Sequence, residues 1–409
     1  MSRQIATLLK TFALMLTTIT VSANSSAEQP VTTCTPPCWT ELTDQPNFLP
    51  GLPLLLTDGR ILVQDASNGS NGSNQWKLFS PDNTGSYING TWSTVPNSPV
   101  STYGPASAVL SDGRVYIMGG EHTNAAAVYD PTANTWATIS SPTNGSGSGA
   151  VASVVLPNGT WMVQNNSNTS SAVLNPRTRT WIEVSGHGKA DVNSGEQYTL
   201  LPDGSVLTVD TTDIPNTERF VFPIYEWISA GSTPVDLPVD IYGAFLIGPA
   251  ILRPDGTVFA TGACFMDEDS WPFCEIVGPA PTAIYTPPTT MFGAGTWTAG
   301  PSFPPFEGAL TSPELGPAAV LPDGNVLVLA SQGYQVLPFQ FYEFDGTNLN
   351  PAPTTQEAQN AAVNDSYSCY PRARFGSAMA AVVKTLRSIR PQELISLPGS
   401  PPLRVCRLC

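Results

Sequence analysis

The chain repeats one short phrase six times: an apolar strand, an Asp-Gly or Asn-Gly turn, and a second apolar strand. The copies centre on Asp58-Gly59, Asp112-Gly113, Asn158-Gly159, Asp203-Gly204, Asp255-Gly256 and Asp323-Gly324. Leu54-Leu55-Leu56 before the first turn and Ile61-Leu62-Val63 after it are typical flanks. The turns recur at steps of 54, 46, 45, 52 and 68 residues. A strand-rich repeat of ~50 residues implies one propeller blade per copy, because a lone unit cannot bury its own apolar face and must stack on its neighbours. Asp-Gly between apolar runs is a strong hairpin signal and predicts a tight turn of type I′. Beyond the N-terminus, apolar residues at helical spacing are almost absent, so helix is excluded as the main element. The 34 glycines and 40 prolines suit a fold of many turns.

The second half of each unit is also legible. Val128-Tyr129-Asp130-Pro131 leads to Trp136, and Val173-Leu174-Asn175-Pro176 leads to Trp181 at the same spacing. Leu78-Phe79-Ser80-Pro81 before Trp92 and Ile284-Tyr285-Thr286-Pro287 before Trp297 are looser versions. Each unit therefore reads as four strands, a to d, with the aromatic side chains placed to bury large areas between blades. These strands, the Asp-Gly hairpins and Gly119-Gly120 at the end of one strand b make residues 39–383 resemble the kelch β-propeller family, which includes the central domain of galactose-oxidase-like enzymes. The resemblance implies an all-β, kelch-type β-propeller of seven blades with an incomplete last blade; six blades is the alternative. Trp39-Thr40-Glu41-Leu42 reads as an isolated strand d completing the last blade, and Arg374 to Met379 reads as its strand a. The family's members serve as binding scaffolds, as oxidases and as adaptors, so the resemblance speaks to fold more than to function.

Residues 1–27 read as an export signal: Arg3 and Lys10 precede an apolar run, Thr11 to Val21, that is too short to span a bilayer, and small residues follow. Residues 28–38 form a Cys-containing segment, and 384–409 an atypical basic tail expected to be disordered. The chain is accordingly expected to be secreted, or periplasmic in a bacterium, and free of the membrane after cleavage. Seven cysteines in an exported chain imply disulfides, and the local pairs are Cys34 with Cys38 and Cys264 with Cys274. Net charge is −15, and the tail and signal carry seven of the 17 basic residues, so the body is more acidic still. Such a surface repels phosphate backbones and excludes nucleic acid as the expected partner. In a eukaryotic secretory route, Asn68, Asn71, Asn89, Asn144 and Asn158 would be glycosylation acceptors.

Strand alternation puts the short Asp-Gly and Pro turns on one face of the ring and the longer b–c and d–a loops on the other. Function concentrates on such loops. The most unusual stretch is Cys264 to Cys274, which holds Asp267, Glu268, Asp269 and Trp271. Carboxylates and an indole suit a sugar. No cofactor is predicted, and calcium is the one ion the oxygen chemistry of this loop would admit. Glu121, His122 and His187 fall on the same face and complete the candidate ligand-binding set. The kelch oxidases use copper held by two His and two Tyr, one Tyr cross-linked to Cys; this chain has two His in total and no Tyr-His pair. No catalytic residue is assigned. The sequence is read as a monomeric, non-catalytic binding module for a glycan or protein ligand. The alternative is a carbohydrate-active enzyme: a degenerate galactose-oxidase-like oxidase, or a hydrolase or lyase using paired carboxylates.

Overall fold

The computed structural model describes residues 39–354, apart from 121–122, 148–151, 223, 242–243, 263–277, 314–317 and 332–338. Six four-stranded antiparallel sheets follow one another along the chain. Sheet one holds β1 (Pro50–Leu55), β2 (Ile61–Asp65), β3 (Trp76–Ser80) and β4 (Thr91–Thr94). Sheet two holds β5 (Ala106–Val109), β6 (Val115–Met118), β7 (Ala126–Asp130) and β8 (Thr135–Ile139). Sheet three holds β9 (Ser153–Val155), β10 (Trp161–Gln164), β11 (Ser171–Asn175) and β12 (Thr180–Val184). Sheet four holds β13 (Thr199–Leu200), β14 (Val206–Val209), β15 (Asn216–Val221) and β16 (Glu226–Ser232). A two-stranded ribbon, β17 (Val239–Ile241) and β18 (Ala244–Leu246), leads to sheet five. That sheet holds β19 (Ala250–Leu252), β20 (Val258–Thr261), β21 (Thr282–Thr286) and β22 (Thr296–Ala299). Sheet six holds β23 (Ala318–Val320), β24 (Val326–Ser331), β25 (Phe339–Phe344) and β26 (Leu349–Pro351).

The first strands of successive sheets approach one another in series, from β1 to β5, β9, β13, β19 and β23. The sheets therefore radiate from a common axis, and the molecule is an all-β propeller with six blades among the described residues. Burial follows from that layout. The second strands β6, β10, β14 and β20 are buried along their whole length, whereas the fourth strands β4 and β22 face outward. Core clusters lie between blades: Tyr116 and Met118 of blade two pack with Trp161 and Val163 of blade three. Phe259 of blade five stacks on Phe344 of blade six at 3.9 Å between ring centroids.

All six Asp/Asn-Gly turns have the same bonding. In the first, Gly59 N–H donates to Leu56 O, Leu56 N–H donates to Arg60 O, and Asp58 Oδ1 accepts from Arg60 N–H. Gly59 has φ +85°, and Asp58 is not among the positive-φ residues. Three-residue loops of this kind join a type I turn to a left-handed glycine in a bulge. The expected type I′ turn, with positive φ at both central residues, is thus replaced. The carboxylate holds its own residue in the ordinary right-handed region by capping the amide two residues on.

Sheet six has its own fourth strand, because Leu349–Pro351 pairs with β25. Trp39-Thr40-Glu41-Leu42, read from the sequence as strand d of a seventh blade, form no strand. Among the described residues the blade count is the alternative one, six, and Arg374 to Met379 lies outside them. Trp39 nevertheless behaves as a strand-d tryptophan. Trp181 Nε1–H donates to Ser140 O, just past the outer strand of the preceding blade. Trp39 Nε1–H donates to Pro353 O, just past β26, and its ring lies 4.8 Å from that of Phe341. Three residues on, Leu42 packs with Ile61, Val63 and Phe79 of blade one. The 39–42 segment thus bridges blade six and blade one. Among the described residues no helix is long and apolar enough to cross a membrane.

Candidate functional site

Most of the residues singled out from the sequence lie outside the described set: Glu121, His122, Cys264, Asp267, Glu268, Asp269, Trp271 and Cys274, together with Cys34 and Cys38. His187 is described, and its side chain is 74% exposed. Its Nδ1 lies 3.5 Å from Glu226 Oε1, and its carbonyl accepts from Trp227 N–H on β16, the outer strand of blade four. It stands beside the outer strand of a blade, and the rest of the candidate ligand-binding set lies outside the described residues.

The loop that carries His187 builds a different centre two residues further on. It runs from β12 to β13, from the outer strand of blade three to the inner strand of blade four. Gly186 and Gly188 let it turn inward at φ +67° and +84°. A Cβ on Gly188 would sit 2.2 Å from Trp227 O, so no larger residue fits. The chain then delivers Lys189 into the protein, where its ammonium is fully buried. Lys189 Nζ donates to Asp191 Oδ1 at 2.8 Å, Glu196 Oε1 at 2.8 Å and Glu218 Oε2 at 2.6 Å. An ammonium has three N–H donors, and these three oxygens use them all. The carboxylates are held from behind. Thr212 N–H and Oγ1–H donate to Asp191 Oδ2, Thr208 Oγ1–H to Glu196 Oε2, and Ala190 N–H to Glu218 Oε1.

A fourth carboxylate completes the cluster. Asp210 follows β14 directly and is fully buried. Its Oδ1 lies 3.9 Å from Lys189 Nζ, beyond hydrogen-bond reach, and neither of its oxygens accepts a hydrogen bond. One cation thus faces four buried carboxylates. Burial is the main force on each group. It pushes the Asp210 carboxyl up to about 8, with Glu218 adding to the rise. It drives Glu196 well above the carboxylate range, with Asp191 adding and Lys189 opposing. Burial also works against the Lys189 ammonium, but Glu196, Glu218 and Asp191 outweigh it and hold that group protonated. For Asp191 burial is likewise opposed, by its contacts with Glu196 and Lys189, and the balance falls below the usual value.

The same loop pins the neighbouring one. Asn193 Nδ2 donates to Asn165 O, Asn168 O and Ser170 O, while Gln164 Nε2–H, at the end of β10, donates to Asn193 O. Blade one repeats the device, with Gln64 Nε2 donating to Ser73 O and Thr102 O. Strand-b ends therefore grip the b–c and d–a loops of this face from below. Around the 185–198 loop these bonds join Asn, Ser and Thr groups next to the buried charged cluster.

No protein-family model matches the chain, and no curated protein matches it. Among solved structures it is similar to a fungal alcohol oxidase of the AA5 family in complex with copper. The identity is 16% over 78% of this chain and 68% of that one, with a TM-score of 0.57. It is also similar to a catalytically inactive virginiamycin B lyase from Staphylococcus aureus with quinupristin, at 12% identity over 78% and 89% of the two chains and a TM-score of 0.50. At such identities the likeness concerns fold, and the fold it defines is the β-propeller. One neighbour is named an oxidase and the other a lyase, and the shared fold by itself assigns neither activity.

Proposed function

We propose that the chain is an exported, kelch-type propeller that binds a glycan or a protein on the face formed by its b–c and d–a loops, as a monomer and without catalysis. One observation carries this reading: the described loops of that face around Gln64, Gln164 and Asn193 are held from beneath by buried side chains, which favours a surface shaped before a ligand arrives. Preorganised loops lose little entropy on binding, and affinity gains accordingly. Asn, Ser and Thr on that surface suit the hydroxyls of a sugar or the backbone of a protein. The acidic loop with Asp267, Glu268, Asp269 and Trp271 belongs to the same face in the order of the chain.

The copper of the AA5 neighbour does not fit the described residues. A copper site of the kelch-oxidase kind needs both of the chain's histidines, and His187 is exposed beside Glu226. The only described metal-ligand grouping is all-oxygen, from Asp191, Asp210 and Glu218, whereas copper favours imidazole nitrogen and thiolate. No step is routed through copper. A glycan array tests the binding reading, run beside a copper-loading assay that follows oxygen uptake on a panel of sugars. Saturable binding without oxygen consumption is the expected result. Turnover above background on any sugar overturns the reading. Asp267→Ala is expected to weaken binding at least several-fold if the acidic loop contributes.

A further inference from the structure

The buried cluster of blade four leaves a charge imbalance. Lys189 supplies one positive charge to Asp191, Glu196, Asp210 and Glu218, and all five side chains are buried. The donors of its ammonium are used up by three of these carboxylates, which leaves Asp210 with no N–H or hydroxyl donor and only the Glu218 carboxyl and the ammonium at 3.9 Å beside it. A fully buried carboxylate without a hydrogen bond is costly, and such a group calls for a cause. Asp210 does not lie apart. One oxygen each from Asp191, Asp210 and Glu218 comes within 4.8 Å of the others.

We propose that Asp191, Asp210 and Glu218 form a binding site for a hard divalent cation, calcium or magnesium in kind, on the side of the cluster away from Glu196. Three considerations favour it. The donors are all carboxylate oxygens, the preferred ligands of such ions. The second oxygens of Asp191 and Glu218 are already oriented by Thr212 and by the Ala190 amide, as ligands are when neighbouring hydrogen bonds fix them. Asp210 accepts from no backbone, hydroxyl or ammonium donor, so an ion would have to displace only its contact with the Glu218 carboxyl. The ligands come from three places: the 185–198 loop, the end of β14 and the middle of β15. An ion bridging them would tie the loop to its blade, so its role is to fix the d–a loop of the proposed ligand face. It is separate in the chain from the acidic stretch at 264–275, which falls between β20 and β21.

The full-length protein, stripped with EDTA, is titrated with calcium, magnesium and terbium ions. Terbium luminescence is excited through tryptophan, and Trp227, whose ring lies 5.2 Å from Lys189 Nζ, is a nearby antenna. One saturable site per chain is expected, with a rise in melting temperature on calcium or magnesium addition. Trp227→Phe should reduce the terbium emission without reducing calcium affinity. Asp210→Asn should lower affinity at least tenfold. Asp267→Ala, in the acidic loop, and Glu196→Gln, in the cluster but outside the triad, should retain it. Wild-type protein without a saturable site overturns the proposal, as does Asp210→Asn binding like wild type or loss of the site in Asp267→Ala. Should Asp210→Asn fail to fold, the Trp227→Phe luminescence result decides by itself: unchanged emission places the ion elsewhere.

Discussion

Replacing Lys189 by methionine keeps the length of the side chain and removes its charge. Three charge-assisted hydrogen bonds, at 2.6 to 2.8 Å, disappear at once. Asp191, Glu196 and Glu218 are then buried without their cation. Breaking a buried pair by removing one partner costs about 3–5 kcal/mol. The three bonds share one ammonium, so the cost is not tripled, and part is recovered by protonation. At pH 8 in EDTA, where protonation helps least, Lys189→Met should lose the full ~3–5 kcal/mol. At about 2 °C per kcal/mol for a large domain, the melting temperature falls by roughly 6–10 °C. Lowering the pH supplies protons in place of the ammonium. Glu196 already sits well above the usual range, and Asp191, which Lys189 helps to hold below it, is released upward. The deficit should therefore shrink to about half or less at pH 5, since each unit of pKa shift is worth about 1.4 kcal/mol. Calorimetry and denaturant unfolding at the two pH values read both quantities. A variant as stable as wild type at pH 8, or a deficit that stays constant down to pH 5, would refute the argument.

Two further outcomes follow from the same contacts. Asp210 is raised to about 8, so the folded protein keeps a proton that the unfolded chain releases near pH 4. Its contribution is full below that lower value and is lost as pH rises towards 8. Asp210→Asn in EDTA should therefore gain stability relative to wild type between pH 4 and 8, with a ceiling of roughly 5 kcal/mol; a difference that is flat with pH, read by urea unfolding, would contradict the assignment. Trp39→Ala removes the ring contact with Phe341 and the bond to Pro353 O. For a half-buried tryptophan the expected loss is about 2 kcal/mol, below the 3–5 of a fully buried one; an unchanged denaturation midpoint would mean that the 39–42 segment does not hold blade six to blade one.

The blades were legible because their signals are local. An Asp-Gly turn needs only its own few residues, and the 3.3 Å rise of each strand then fixes which side chains alternate. The turn type was not legible, since a left-handed glycine is common to both candidates and the difference lies in the backbone of Asp58, which is not at positive φ and whose carboxylate accepts from Arg60 N–H. The outer strand Leu349–Pro351 left no mark in the sequence because it carries no tryptophan, the residue that flagged strand d in the other units. The Lys189 centre was missed for a different reason. Its members come from a loop, the end of one strand and the middle of another, and only tertiary folding joins them. One clue was present. Glu218 and Arg219 are adjacent charges in a third strand, pointing to opposite faces of a blade, and both are buried. Glu218 meets Lys189, while Arg219 donates to Asp203, Met291 O and Gly293 O. Paired charges in an interior strand mark buried ionic networks on either side.

Among the six turns only Asn158-Gly159 carries an amide in place of the acid. Asn-Gly sequences age by deamidation, when the glycine nitrogen attacks the asparagine side chain and closes a succinimide. Here that nitrogen donates to Leu156 O at 2.9 Å, and Asn158 Oδ1 accepts from both Thr160 N–H and Thr160 Oγ1–H. The hydrogen bonds that shape the bend thus hold the two reacting groups apart. Were hydrolysis to yield an ordinary aspartate, the product would carry the side chain that the five sister turns already use, whereas the isoaspartate formed from the same succinimide would lengthen the backbone at the bend.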